Sequence, residues 1–340
     1  MPPKTTTNRN PWLDNAKLVL ITLVVTGHFL EVFYDDSALA LHVWQLIYAF
    51  HMPAFVFLAG FYAKPDVATP VVEIAKKLIV PLLVFGLIYE GGHFAFKGEF
   101  SHYAMQLAPY WLLWYLFCLF IWTVTLPHLL AVRFPMAVLV VLSLAVGLVD
   151  NVGYPLSLSR LFVFFPFFLM GYRFAEGKLL ETALFRKPIY LLPALVFFAM
   201  LFPVLNAIDV NRMMLFGRAS FQESQLNWQQ GLTMRAELMV ISTLALLSFI
   251  ILVPRTENRF TALGRNSITV FLLHGIFVGG FEHFGGAIIK QMQGWQVLAF
   301  SLVAGVVLTW LLSAAPIRRA YDLSMEAVAG FLFKSSVSKR

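Results

Sequence analysis

The chain has 340 residues, 59% of them apolar and only 13% charged, with a mean hydropathy of +0.76. Soluble domains carry roughly a quarter charged residues, so there is too little polar surface here to coat such domains, and lipid is the expected solvent. The net charge of +7 does not point to nucleic acid, because the basic residues stand singly or in pairs between apolar runs; the single cysteine, Cys118, excludes a disulfide framework and a cysteine metal site.

The expected fold is all-α: a polytopic membrane protein of about ten transmembrane helices, because backbone polar groups in lipid must be satisfied within spans of about 20 residues. In chain order, apolar runs bounded by polar or Pro/Gly signals predict spans over 12–34, 42–62, 74–95, 108–130, 134–150, 158–175, 188–206, 232–253, 262–284 and 295–316. Ala38-Leu39-Ala40 resembles a signal-peptidase site. The stretch before it is too long for a signal h-region and contains Asp14, Lys17 and His28, so it reads as a retained span.

Orientation follows from the Lys/Arg asymmetry. With both termini in the cytoplasm, only Lys97, Arg160, Arg212, Arg218, Arg235 and Lys290 of the 25 basic residues fall outside. The polar segment 207–231 is too hydrophilic to span and lies outside, either shaping a site or serving as a solvated connector. Residues 1–316 form a single transmembrane domain, and 317–340 a cytoplasmic amphipathic tail with a basic tip suited to anionic lipid.

Ionisable groups within a bilayer are costly and therefore functional candidates. In the first span Lys17 and His28 are eleven residues apart, close to three turns, which puts them on one face about 16 Å apart. Asp14 and Glu31 fall near the same stripe. An extended acyl-pantetheine arm has a similar length, so Lys17 suits coenzyme A phosphates and His28 suits a general base. The structural alternative is a snorkelling lysine and an interhelical histidine hydrogen bond.

In the second span Pro53 is expected to kink the helix beside His51, which either joins His28 or packs. Glu90 and His93 close the third span, and Arg160 opens the sixth. Each is a candidate to orient His28 or bind an acceptor. The ninth span starts near Arg265, suited to phosphate or to anchoring, and carries Ser267 and His274 on one face. Lys76 and Lys77 join Lys17 and Arg265 as candidates for the coenzyme A phosphates. The aromatic cluster Tyr110-Trp111-Trp114-Tyr115 reads as interface belt and packing. No hydrolase elbow, phosphate-binding loop or zinc-ligand pair is present, and no metal is expected.

These residues resemble the acyltransferase-3 family of integral membrane acyltransferases, particularly its fucose-4-O-acetylase-like branch. Trp12-Leu13-Asp14-Asn15-Ala16-Lys17 through Gly27-His28 is similar to the family's opening motif, with Lys17 where most distant members have Arg. His51-Met52-Pro53-Ala54-Phe55 through Gly60, Lys77 through Pro81, Trp111 through Trp114, Phe165 through Tyr172, and Leu263 through His274 look like further family blocks in the same order.

The resemblance implies ten core helices and an acyl-coenzyme A donor, most often acetyl-coenzyme A, entering from the cytoplasm. It implies transfer to a hydroxyl of an extracytoplasmic glycan or glycolipid. His28 is then the catalytic base, with Glu31 and His51 as further catalytic candidates and the Lys17 position assisting the donor. No resident cofactor is expected. Many relatives carry a soluble domain for the acceptor, and its absence within these residues suggests a small or lipid-linked acceptor. A surface polysaccharide sugar and an envelope glycolipid of the trehalose mycolate type both fit. A transporter or lipid flippase is the competing reading, although the repeated halves common in transporters are not visible.

Overall fold

The computed structural model describes residues 10–65, 69–285 and 291–333, without the side chains of residues 183 and 184. Lys290 and the basic tip lie outside the described residues. Among the described residues every regular element is helical, and each predicted span falls on a helix.

Local chemistry sets the boundaries. α1 (Pro11–Glu31) begins where the Asn10 side chain accepts from Trp12 N, with Pro11 at the first helical position, where a missing N–H costs nothing. The second predicted span is two helices, α2 (Ala38–Tyr48) and α3 (His51–Tyr62). α4 (Val71–Lys97) stops at Gly98, whose φ of +74° suits a left-handed cap. α5 (Trp114–Leu130), α6 (Pro135–Ala145), α7 (Leu158–Glu176) and α8 (Leu191–Ala207) follow. α9 (Trp228–Leu252) opens on an Asn227/Gln230 capping box, and α10 (Ser267–Phe284) and α11 (Gly294–Leu312) complete the bundle. Eight helical stretches are long and apolar enough to cross a membrane. The remaining two predicted spans fall on α4 and on the shorter Pro135–Leu148.

The break in the second span lies one turn before Pro53. Proline has no N–H for the Ala49 carbonyl that a continuous helix would offer it. Instead Ser242 Oγ of α9 donates to Ala49 O at 2.6 Å, and His51 Nδ1 donates to Ile47 O at 2.8 Å. Side chains thus satisfy carbonyls that lipid could not.

α1 sits at the centre, against α2, α3, α10 and α11. Lipid gives no hydrophobic drive between helices, so close packing at small residues holds them together. A Cβ on Gly305 of α11 would lie 2.1 Å from Thr26 Oγ1 of α1. The most extensive helix pair, α3 with α7, crosses at two glycines: a Cβ on Gly60 would lie 1.9 Å from Phe168 O, and one on Gly171 would lie 2.0 Å from Phe57 O. Leu192, Leu195 and Met200 on α8, and Val303, Val306 and Trp310 on α11, face outward as lipid contacts.

Two predicted features take a different form. The tenth span, expected to reach 316, ends at Leu312; Pro316 sits in the first turn of a separate helix, α12 (Ala315–Leu332). α12 is amphipathic, touches α4 and α10 and has no buried residue, the properties an interfacial helix needs. The 207–231 segment is no bare connector. Met214, Leu215, Ala219 and Phe221 are buried, and Arg235 of α9 donates to Ala219 O at 3.1 Å with its guanidinium 4.8 Å from the Phe221 ring centre. This segment forms a cap over one end of the bundle.

Candidate active site

The opening motif of α1 divides its labour. Trp12 Nε1 donates to Ile250 O, while Asn15 Nδ2 reaches Pro254 O and Thr256 O and Asn15 Oδ1 accepts from Thr261 Oγ1. These bonds tie α1 to the connection between α9 and α10. A Cβ on Gly264 would lie 1.9 Å from Asp14 O, so only glycine permits that approach. Asp14, buried, pairs with Lys17 at 2.8 Å and with Arg265 at 3.2 Å, and Arg265 also reaches Glu257 at 2.9 Å.

Lys17 faces a cavity of about 480 Å³ between α1, α3, α4, α5 and α10, within the roughly 300–1,000 Å³ of small-molecule sites. Lys17, Lys64 and Lys77 line its charged part, and Ser267 also contributes. Glu73 is the acidic residue in the lining, and Lys76 holds it at 2.7 Å. Phe55, Leu58, Leu116, Leu119 and Phe271 form the apolar wall. Of the cations expected to meet coenzyme A phosphates, Lys17 and Lys77 therefore line the cavity. Lys76 and Arg265 are engaged with Glu73, and with Asp14 and Glu257, outside its lining.

At the other end of α1, His28 Nδ1 lies 2.9 Å from Glu31 Oε2, one turn on. Tyr48 donates to Glu31 Oε1 at 2.5 Å, and its hydroxyl is 3.2 Å from His28 Nδ1. A carboxylate only accepts, so Nδ1 carries the proton and the Nε2 lone pair is left free to act as a base. Gly27 makes this possible: a Cβ there would lie 2.9 Å from Tyr48 Cε2.

Aromatic rings enclose the imidazole. Trp111 meets its edge at 4.7 Å between ring centres, and His274 stacks on it at 5.3 Å. His274 Nδ1 donates to Val270 O at 3.0 Å, leaving a buried Nε2 with no partner among the described residues. A Cβ on Gly275 would lie 2.5 Å from Tyr89 Oη, so a glycine beside His274 admits that ring. Phe271 packs against His274 at 6.2 Å and also lines the lysine cavity, so one series of rings joins the cavity to His28.

The other candidates sit further out. His51 is buried with its ring 4.5 Å from that of Tyr48 and does not reach His28. Glu90 accepts from Ser101 N and Oγ, and His93 is 3.5 Å from the Tyr110 hydroxyl. Arg160 Nε donates to Phe216 O. Sequence reasoning missed Tyr48 and read Trp111 as part of an interface belt and packing cluster rather than as a neighbour of His28. Trp114 and Tyr115 are buried, as the packing part of that reading expects. The sequence signals that could have found Tyr48 are Pro53, which ends the helix after it, and the glycine at 27.

A polytopic helical membrane protein with a carboxylate-held histidine at one end of its central helix and a basic cavity at the other defines the class. The chain belongs to the acyltransferase-3 family, whose description is "Acyltransferase domain" and which matches residues 10–314. It is similar to the nodulation protein NolL of Sinorhizobium fredii, 29% identical over 190 residues covering 50% of each chain. It is also similar to NolL of Mesorhizobium japonicum, 35% identical over 89 residues covering 24% of each. The chain thus spans half or less of the length of these curated relatives. No solved structure matches.

Proposed function

We propose that the protein is a membrane-embedded O-acyltransferase that moves an acyl group, most simply acetyl, from coenzyme A to a hydroxyl of an extracytoplasmic glycan or glycolipid. The observation that carries this reading is the 2.9 Å contact by which Glu31 fixes the His28 tautomer, at the far end of the helix whose Lys17 faces a basic cavity. Membership of an acyltransferase family supports the same chemistry.

In this reading the N-terminus is cytoplasmic, and the coenzyme A phosphates meet Lys17, Lys64 and Lys77 at the inner face. The pantetheine arm runs along the apolar wall towards Phe271, carrying the thioester to His28 over the roughly 16 Å that eleven helical residues span. The acceptor hydroxyl gives its proton to His28 Nε2 while its oxygen attacks the thioester carbonyl. The C–S bond then breaks, and the departing thiolate takes the proton back from the imidazolium. Glu31 stabilises that imidazolium and keeps the ring oriented, while Tyr48 holds Glu31. The rings of Trp111 and His274 limit water, which favours transfer over hydrolysis.

The test is acetyl-coenzyme A binding and thioester cleavage by the purified protein in nanodiscs, with His28→Ala alongside. Binding by both proteins with cleavage by wild type alone supports the reading. A folded wild type that binds no acetyl-coenzyme A sinks it and brings a transporter or flippase forward.

A further inference from the structure

Near the His28 end of the bundle, two cations stand without acids. Arg160, in the first turn of α7, donates from Nε to Phe216 O at 3.1 Å, and its guanidinium lies 4.8 Å from the Trp114 ring centre. Arg218, in the 207–231 cap, lies 5.0 Å from the ring of the same Phe216 and 5.2 Å from that of Tyr154. Its Nη2 contact is to Met213 Sδ at 3.5 Å, a weak acceptor. Neither forms an ion pair among the described residues. By contrast Arg212 pairs with Asp35, Arg173 with Glu176, Arg265 with Asp14 and Arg318 with Asp322. Arg235 also has no acid, but carbonyls and the Phe221 ring hold it as a strut beneath the cap.

Arg160 and Arg218 meet at one residue, Phe216, the first on its carbonyl and the second against its ring, and two like charges gathered there repel each other. Arg160 also stands at the N-terminal end of α7, where the helix dipole disfavours a cation. Two guanidiniums gathered against their own repulsion, with forked donors left over, are arranged for an anion with several acceptor oxygens. Burial, with the Arg218 charge adding to it, lowers the pKa of the neighbouring His102 imidazole, in keeping with a positive local field.

The surroundings suit a sugar. Tyr154 and Tyr103 lie 6.0 Å apart by ring centres, and Tyr103 lies 5.0 Å from Tyr110, giving a run of aromatic rings beside the pair. The location suits an acceptor as well: the Phe216 ring packs 5.5 Å from Tyr48, which bonds Glu31. Two rings, those of Phe216 and Tyr48, separate the arginine pair from the histidine–carboxylate dyad.

We propose that Arg160 and Arg218 bind a phosphate group on the acceptor, so that the hydroxyl presented to His28 belongs to a phosphorylated sugar; this rests on the acyl-transfer reading above. The pair anchors the phosphate through charge-assisted hydrogen bonds, and the rings of Tyr103 and Tyr154 border the sugar.

The test is calorimetric binding of glucose 1-phosphate, glucose and glucuronate to the full chain in phosphatidylcholine nanodiscs. Wild type is expected to bind glucose 1-phosphate at least tenfold more tightly than glucose. Arg218→Gln and Arg160→Gln should each remove most of that preference, and Arg218→Lys should keep part of it. Thermal melting checks each variant, and if Arg160→Gln does not fold, Arg218→Gln in the cap decides. Equal affinity for glucose 1-phosphate and glucose, or an Arg218→Gln protein with the preference intact, overturns the proposal. Glucuronate bound as tightly as the phosphate overturns the phosphate assignment in favour of a carboxylate. Acetyl-coenzyme A binding by the same wild-type sample separates the two readings: its loss sinks acyl transfer, whereas the arginine-dependent preference reports on the anion site alone.

Discussion

The two ends of α1 carry the same local device in opposite order. At one, Asp14 pairs with Lys17 at 2.8 Å; at the other, His28 pairs with Glu31 at 2.9 Å. Both are i, i+3 pairs on one helix, yet their neighbours give them different uses. At the Lys17 end the acid is shared with Arg265, and the lysine faces a cavity with Lys64 and Lys77. At the His28 end the acid is shared with Tyr48, and aromatic rings close over the imidazole. A shared carboxylate leaves the lysine available to phosphates in one case and fixes a tautomer in the other. The comparison separates a binding end from a reacting end.

The strongest way to break it is His28→Ala. Acyl transfer should fall by 10³-fold or more while the melting temperature moves little, because a hydrogen bond within a membrane bundle contributes only about 1 kcal/mol; transfer rates beside a melting curve check this. Glu31→Gln keeps the shape but removes the charge that holds the imidazolium, and should lower turnover by roughly 10²–10⁴-fold with coenzyme A affinity retained. A Glu31→Gln enzyme with normal turnover would remove Glu31 from the mechanism. Lys77→Ala sharpens the other end: acetyl-coenzyme A should bind several-fold more weakly, on the order of 1 kcal/mol, with little change in turnover once bound. Titration at two salt concentrations would check it, the difference from wild type shrinking at high salt. Gly60→Ala belongs to neither end. It should destabilise the α3–α7 crossing by about 1–3 kcal/mol, seen as a lower melting temperature, with turnover per folded molecule nearly unchanged.

Much of this was legible because it is local. Apolar runs located the helices, and helical spacing on α1 put Glu31 near the stripe that carries Lys17 and His28, although the sequence did not name it as the partner of His28. His274 was readable as sharing a helix face with Ser267, though its stacking on His28 was not. Tyr48 was hidden because it reaches Glu31 only through the break at Ala49 and Phe50 and the space left at Gly27. Trp111 was hidden because an aromatic cluster near a span end has the same composition whether it faces lipid or ligand. Lys76 and Arg265 show the converse. The sequence groups them with Lys17 and Lys77, but neither lines the cavity in the fold, Lys76 pairing with Glu73 and Arg265 with Asp14 and Glu257. Spacing along one helix was readable, whereas contacts between helices depended on where glycines allowed close approach.

The most direct test of the division between the two ends is to measure coenzyme A affinity and acyl turnover on the same folded samples of wild type, His28→Ala and Lys77→Ala. The expected result is a normal dissociation constant with lost turnover for His28→Ala, and a weakened one with turnover preserved at saturation for Lys77→Ala. The reverse pattern, with coenzyme A binding lost in His28→Ala and unchanged in Lys77→Ala, would contradict it.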